Sequence, residues 1–124
     1  MPLKLMDDLQ KNKDLIENNP VAFATITSDS NPNIIVVASV KVVSDDEILV
    51  SDNYMDRTVK DVLVNDNVCL AVWNSEMRGC KLMGTARYFD TGNWVKYVKN
   101  MKENKGMPAK GALLIKVSKI INLK

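Results

Sequence analysis

The run Ser51-Asp52-Asn53-Tyr54-Met55-Asp56-Arg57-Thr58 is the part of this 124-residue chain whose residue types best suit an anion. A helix beginning near Met55 or Asp56 would offer unpaired backbone N–H groups and the positive end of its dipole. Arg57 adds a planar fork of donors matched to phosphate oxygens, and Thr58 adds a hydroxyl. The plain alternative is ordinary capping, with Asp52, Asn53 or Asp56 closing the helix and Arg57 and Thr58 facing solvent. The sequence has neither G-x-G-x-x-G nor G-x-x-x-x-G-K-[ST], and its five glycines are scattered singly. Neither a dinucleotide fingerprint nor a P-loop is therefore available to hold the phosphate.

There is no histidine. That excludes His-ligated zinc, axial-His haem, Ser-His-Asp and Cys-His nucleophile pairs, and a His general base. Cys69 and Cys80 are the only thiols and stand eleven residues apart, too few for a zinc cage and wrongly spaced for a CxxC pair. Each lies in an apolar segment and reads as a reduced, buried thiol acting as a small hydrophobe. No metal site is expected. Chemistry in such a chain needs a borrowed cofactor.

The net charge of +2 conceals an asymmetry. Up to Cys80 there are 7 basic and 13 acidic residues, and from Lys81 onward 10 basic and 2 acidic. Such a split suits an anionic ligand, a nucleic acid, or an acidic half meeting the basic half of another subunit; a plain solvated lysine face is the alternative. With 46% apolar and 26% charged residues, the chain has the composition of one globular domain spanning residues 1–124. No apolar run approaches the roughly 20 residues needed to cross a bilayer. The start turns acidic at Asp7-Asp8, where a signal peptide would need its apolar stretch, so a cytoplasmic location is expected.

The elements that must position these residues follow from periodicity. Leu3 to Asn18 reads as an amphipathic helix stopped by Asn18-Asn19-Pro20. Val21 to Thr27 reads as a strand, and Ile34 to Val43 as one long apolar strand forming a hairpin with Glu47 to Ser51. Met55 to Val64 reads as a helix. Val68 to Trp73 is a continuous apolar run, the pattern of a strand buried on both faces. Arg78 to Phe89 follows as a strand with Gly79 and Gly84 as bulge or corner positions. Thr91 to Lys105 reads as a helix with a Trp94-Tyr97-Val98-Met101 core stripe, and Gly111 to Leu123 as the last strand. The connections are mostly too short for parallel crossovers. The expected fold is mainly β: a six-stranded antiparallel barrel, closed or half-closed, with three helices outside.

Ile48-Leu49-Val50-Ser51, then Met55 to Leu63, then Asn65-Asp66-Asn67-Val68-Cys69-Leu70-Ala71-Val72-Trp73 resemble the FMN-binding split β-barrel proteins related to pyridoxamine 5′-phosphate oxidase. The oxidases have a similar run: a strand ending in small polar residues, a basic phosphate-binding pair, and N-P-x-V-x-L leading to an aromatic. Small bacterial FMN-binding proteins carry a basic residue and a threonine where Arg57-Thr58 stand. Gly79 to Ala86 is similar to the family's next strand, and the likeness runs from Asp8 to Leu123.

The resemblance implies a homodimer with non-covalent FMN at its interface. Arg57 and Thr58 would grip the phosphate with the helix N-terminus and Ser51. Val36, Val37, Ala38 and Ser39 would line the isoalloxazine, Ser51 and Asp52 would sit beside the ribityl chain, and Trp73 and Gly79 would contribute from the second subunit. For Val36 to Ala38 simple core packing is the competing reading, and for Trp73 an aromatic plug at a barrel end. Asp56 stands where the oxidases carry arginine, so one phosphate contact is replaced by an acid, which weakens the site unless Asp56 caps the helix or pairs with Arg57. The oxidases' substrate-binding Arg and His near the C-terminus have no counterpart, which argues against a true pyridoxamine phosphate oxidase. The implied function is an FMN-dependent oxidoreductase with a nicotinamide or protein electron donor; Lys96, Lys99, Lys102 and Lys105 read as a solvated helix face, or, near a flavin mouth, as charges that would steer such an anionic donor. A flavin carrier or sensor without turnover, and a barrel binding nucleic acid through the basic Lys81–Lys124 half, are the alternatives.

Overall fold

In the computed structural model the described residues are 3–123; Met1 and Pro2 of the acidic start and Lys124 of the basic half lie outside them. The N-terminal amphipathic run forms two helices, α1 (Leu3–Lys11) and α2 (Lys13–Asn18), parted at Asn12. The Asn12 side chain donates to the Asp8 carbonyl, competing with helix propagation as short amide side chains do. Leu9 and Ile16 nevertheless both reach the core.

Seven strands follow: β1 (Val21–Ile26), β2 (Pro32–Val37), β3 (Val40–Val42), β4 (Glu47–Asp52), β5 (Asn67–Trp73), β6 (Gly79–Phe89) and β7 (Gly111–Leu123). All pairings are antiparallel, in the order β2-β1-β5-β6-β7-β4-β3. The expected count of six strands is therefore corrected to seven, because the stretch Ile34–Val43 is two strands at opposite edges of the sheet. Residues up to Val37 pair with β1, and residues from Val40 pair with β4. Only Ala38 and Ser39 join them, so the two edges must come together there. The sheet curls into a half-barrel, drawn shut at this two-residue joint. The expected hairpin with Glu47–Ser51 survives only for the short β3.

β5 is not buried on both faces. Val68, Leu70 and Val72 point into the core while Asn67 and Trp73 are exposed, the alternation of a one-sided strand. The doubly covered strands are β4 and the start of β7. Ile48 and Val50 join the main core around Phe23, Leu70, Leu82, Leu113 and Ile115. Leu49 and Leu114 face the other way, under Val95, Val98 and Met101 of a lid formed by α4 (Asn93–Lys99) and the residues after it. The expected helix to Lys105 stops early: Met101 turns extended, and Lys102–Asn104 form a single 3₁₀ turn. Its buried stripe is Val95-Val98-Met101, with Trp94 half-buried and Tyr97 exposed. Each fully buried Leu, Ile or Phe contributes about 1.5–3 kcal/mol from burial.

The expected irregularity at Gly84 is a β-bulge: Met83 pairs with Lys119 and Gly84 with Val117, leaving Ser118 over. Cys80 is buried and Cys69 half-buried, with no disulfide between them. Burial pushes the Cys80 thiol up to about 11, so it stays protonated and packs as a hydrophobe. No helix among the described residues is long and apolar enough to cross a membrane.

Candidate functional site

Helix α3 (Arg57–Val64) starts where the chain leaves β4, and the Ala38-Ser39 joint passes beside that start. Between them lies a groove of about 470 Å³ lined by Asn33, Ile35 to Ser39, Ser51, Asn53 to Thr58, Glu103 and Met107. That volume is within the roughly 300–1,000 Å³ of ordinary small-molecule sites. Seven of the residues singled out from the sequence meet here: Val36, Val37, Ala38, Ser39, Ser51, Arg57 and Thr58.

One end is rich in donors. Asp56 stands at the N-cap of α3 without making a capping hydrogen bond, so no N-cap carboxylate ties up the N–H groups of the first turn. Instead of capping or pairing with Arg57, its carboxylate meets Lys60 at 3.3 Å, both ends largely exposed, a pair of little energetic weight. Arg57 is exposed and makes no ion pair with any described residue. Thr58 is 2% exposed, and its hydroxyl oxygen accepts from Asn33 Nδ2 at 3.3 Å. The other wall is apolar: Ile35, Val36, Val37, Ala38 and Met107, with Val36 72% exposed at the rim.

Asp52 does not face the groove. It is fully buried: one carboxylate oxygen accepts the Met55 N–H at 2.8 Å, and the other accepts the Tyr88 hydroxyl at 2.7 Å and Lys110 Nζ at 3.3 Å. Lys110 Nζ also donates to the Met55 carbonyl at 2.6 Å. Asp52 thus pins the 52–56 loop that delivers α3 rather than lining the ligand's path. Burial, then the hydrogen bond to Asp52, raises the Tyr88 phenol well above its ordinary value. Between the ordinary tyrosine value near 10 and the raised folded value, only the unfolded phenol is ionised, so stability falls as pH rises through that window. Tyr88→Phe is expected to cost about 1–2 kcal/mol at pH 7 in urea unfolding. The variant should also show a shallower loss of stability above pH 10 than the parent.

Trp73 and Gly79 pair with each other at the far end of β5 and β6 and do not line this groove. Trp73 is half-exposed, so it is not a barrel plug in the isolated chain. Gly79 is required by close approach, since an added Cβ would press on the Val72 carbonyl and lie 2.8 Å from the Trp73 Cα.

Sequence reasoning missed Asn104. It is 2% exposed, accepts from Ser39 Oγ at 2.9 Å and Asn53 Nδ2 at 3.0 Å, and donates to the Val98 carbonyl at 2.8 Å. Asn53 in turn accepts the Ala109 N–H. This network braces the joint and the 52–56 loop from behind. Its bonds span up to 65 residues of sequence, so no local pattern announces it.

Residues 9–124 match the pyridoxamine 5′-phosphate oxidase family. The chain belongs to that family. Among similar proteins of this and related kinds is an uncharacterised protein of Methanocaldococcus jannaschii, 31% identical over 98% of this chain and 83% of its own. HupZ of Group A Streptococcus has the same fold at 28% identity, with a TM-score of 0.82 and 92% of each chain covered. An FMN-binding protein from Syntrophomonas wolfei shares the fold at 19% identity, with a TM-score of 0.81 over 98% of this chain and 90% of that one. The pyridoxamine 5′-phosphate oxidase family thus accounts for the half-barrel and for nearly the whole chain.

Proposed function

We propose that this family member is an FMN-binding flavoprotein, an oxidoreductase working as a homodimer with the flavin held between subunits. The observation that carries the reading is the groove itself, with its donor-rich end and adjoining apolar wall. The residues present fit FMN. Arg57, Thr58 and the uncapped start of α3 suit a phosphate; Ser51 and Asn53 lie along the groove for a polyol chain; Val36 to Ser39 suit an aromatic ring system. Bound there, FMN would supply the electron or hydride transfer. The protein's share is to bind, orient and exclude water. No acid or base is assigned, and a nicotinamide or a protein remains the proposed donor.

The dimer reading has its own support. On the outer face of the sheet, Val36, Ala22, Ala71 and Lys81 lie in one cross-strand row and Ile34, Ala24, Cys69 and Met83 in the next. Apart from Lys81 these two rows are apolar, and Ile34, Val36, Trp73 and Met83 are exposed on this face. Two copies packed through it would cover these side chains and bring Trp73 and Gly79 toward a second subunit.

The test is the visible absorption spectrum of the purified protein before and after incubation with FMN, with the native mass measured on the same sample. Flavin bands that stay with a dimer, and bleach with a nicotinamide donor, are expected. Flavin held without reduction by any donor would make the protein a carrier. A colourless protein that takes up no FMN would overturn the reading, leaving salt-sensitive oligonucleotide binding as the next assay.

A further inference from the structure

Asp61 is an acid on α3, 4% exposed, with no cation in ion-pairing range among the described residues. Its hydrogen-bond partner is Thr25 of β1, whose hydroxyl donates to Oδ2 at 2.9 Å. That one bond sets the direction of every bond beyond it. A carboxylate only accepts, so the Thr25 proton is committed to Asp61 and the Thr25 oxygen can only accept. The group of Asn33 facing Thr25 must then be its amide nitrogen, 3.3 Å away. The same nitrogen reaches Thr58 Oγ1 at 3.3 Å, so it donates there too. Thr58 is left with its own hydroxyl proton, with no acceptor for it among the described residues, at the donor-rich end of the groove.

We propose that Asp61, Thr25 and Asn33 form a polarity relay that fixes Thr58 as a hydrogen-bond donor into the groove, selecting a phosphate monoester over the corresponding neutral alcohol. The three are positioning residues: they act through Thr58 and need not touch the ligand. Without the Asp61 end, Asn33 is free to turn its amide oxygen toward Thr58 and take the proton the ligand needs. Arg57, Lys60 and Asp56 border the small cleft in which Asp61 lies; Lys60 is paired with Asp56, so Arg57 is the cation left to offset the Asp61 charge near an anionic ligand. The inference rests on the flavin reading for its natural ligand, but the chemistry it claims is that of phosphate.

FMN and riboflavin differ by the phosphate alone, so their affinity ratio isolates this end of the site. Binding is followed by flavin fluorescence for the full chain and for Asp61→Asn, Thr25→Val and Thr25→Ser. The parent should prefer FMN. Thr25→Val and Asp61→Asn should each lower that preference about tenfold, the order expected for one hydrogen bond to a charged group, with riboflavin affinity unchanged. Thr25→Ser keeps the hydroxyl and should retain the preference; it also stands in for the other two as a folding control. Equal loss of both flavins, or an unchanged ratio, would overturn the relay. Should the parent bind neither flavin, the flavin reading falls, and inorganic phosphate becomes the probe. Protection of the parent against thermal unfolding, reduced in Thr25→Val, would then sustain the relay, and no protection would end it.

Discussion

Arg57→Ala is expected to weaken FMN binding by about 10- to 100-fold, the loss of one or two charge-assisted hydrogen bonds to a phosphate. It should leave the unfolding free energy within about 0.5 kcal/mol of the parent, since the side chain is exposed and makes no ion pair with any described residue. Titrating FMN into both proteins and unfolding both in urea gives the two numbers together. Affinity lost with stability kept would mark Arg57 as a ligand-binding residue. Unchanged affinity would remove the phosphate end of the proposal. Asp56 sharpens the comparison. Its carboxylate meets Lys60, not Arg57, so Asp56→Ala should leave FMN binding unchanged or slightly tighter.

The second large effect concerns the scaffold. Gly84→Ala is expected to cost about 3 kcal/mol, at the upper end of overpacking penalties, and to lower the melting temperature by roughly 10–15 °C. An added Cβ would collide with the Lys116 carbonyl oxygen and would lie 2.9 Å from its carbon and 3.1 Å from the Val117 Cα. These are backbone atoms of the paired strand and cannot rotate away. The collision falls at the bulge where β6 and β7, the two longest strands, change register. Thermal unfolding followed by circular dichroism measures the shift. A melting temperature within 2 °C of the parent would mean that the bulge relaxes freely.

Much of the scaffold was readable one residue at a time. β1, β4, β6, β7 and α3 fall within a few residues of where alternation, helical spacing and turn residues put them. The Arg57-Thr58 pair and the small polar end of β4 do come together, because both flank a single strand-to-helix turn. The residues from Ile34 to Val43 show why the reading failed elsewhere. An apolar run looks the same whether a strand continues or crosses from one edge of a sheet to the other, and Ala38-Ser39 carries no glycine or proline to mark the change. β5 misled for a related reason. Apolar residues on its outer face imitate double burial, whereas in the isolated chain that face is open.

Asp52 marks the division within the site. Its type, a carboxylate at the end of a strand, suited either a cap or a ligand contact. Tyr88, 36 residues on, and Lys110, 58 residues on, turn it inward as the pin of the loop. What the sequence determined by itself was what neighbours along the chain decide: the order of elements, the anion-suited start of α3, the bulge glycine, and the absence of any histidine chemistry. What only the tertiary structure decided was which way each polar group points: Asp52 inward, Asn104 behind the joint, Thr58 toward the groove. A hydrogen bond has direction and needs its partner in space. When that partner is dozens of residues away, nothing in the local sequence records it.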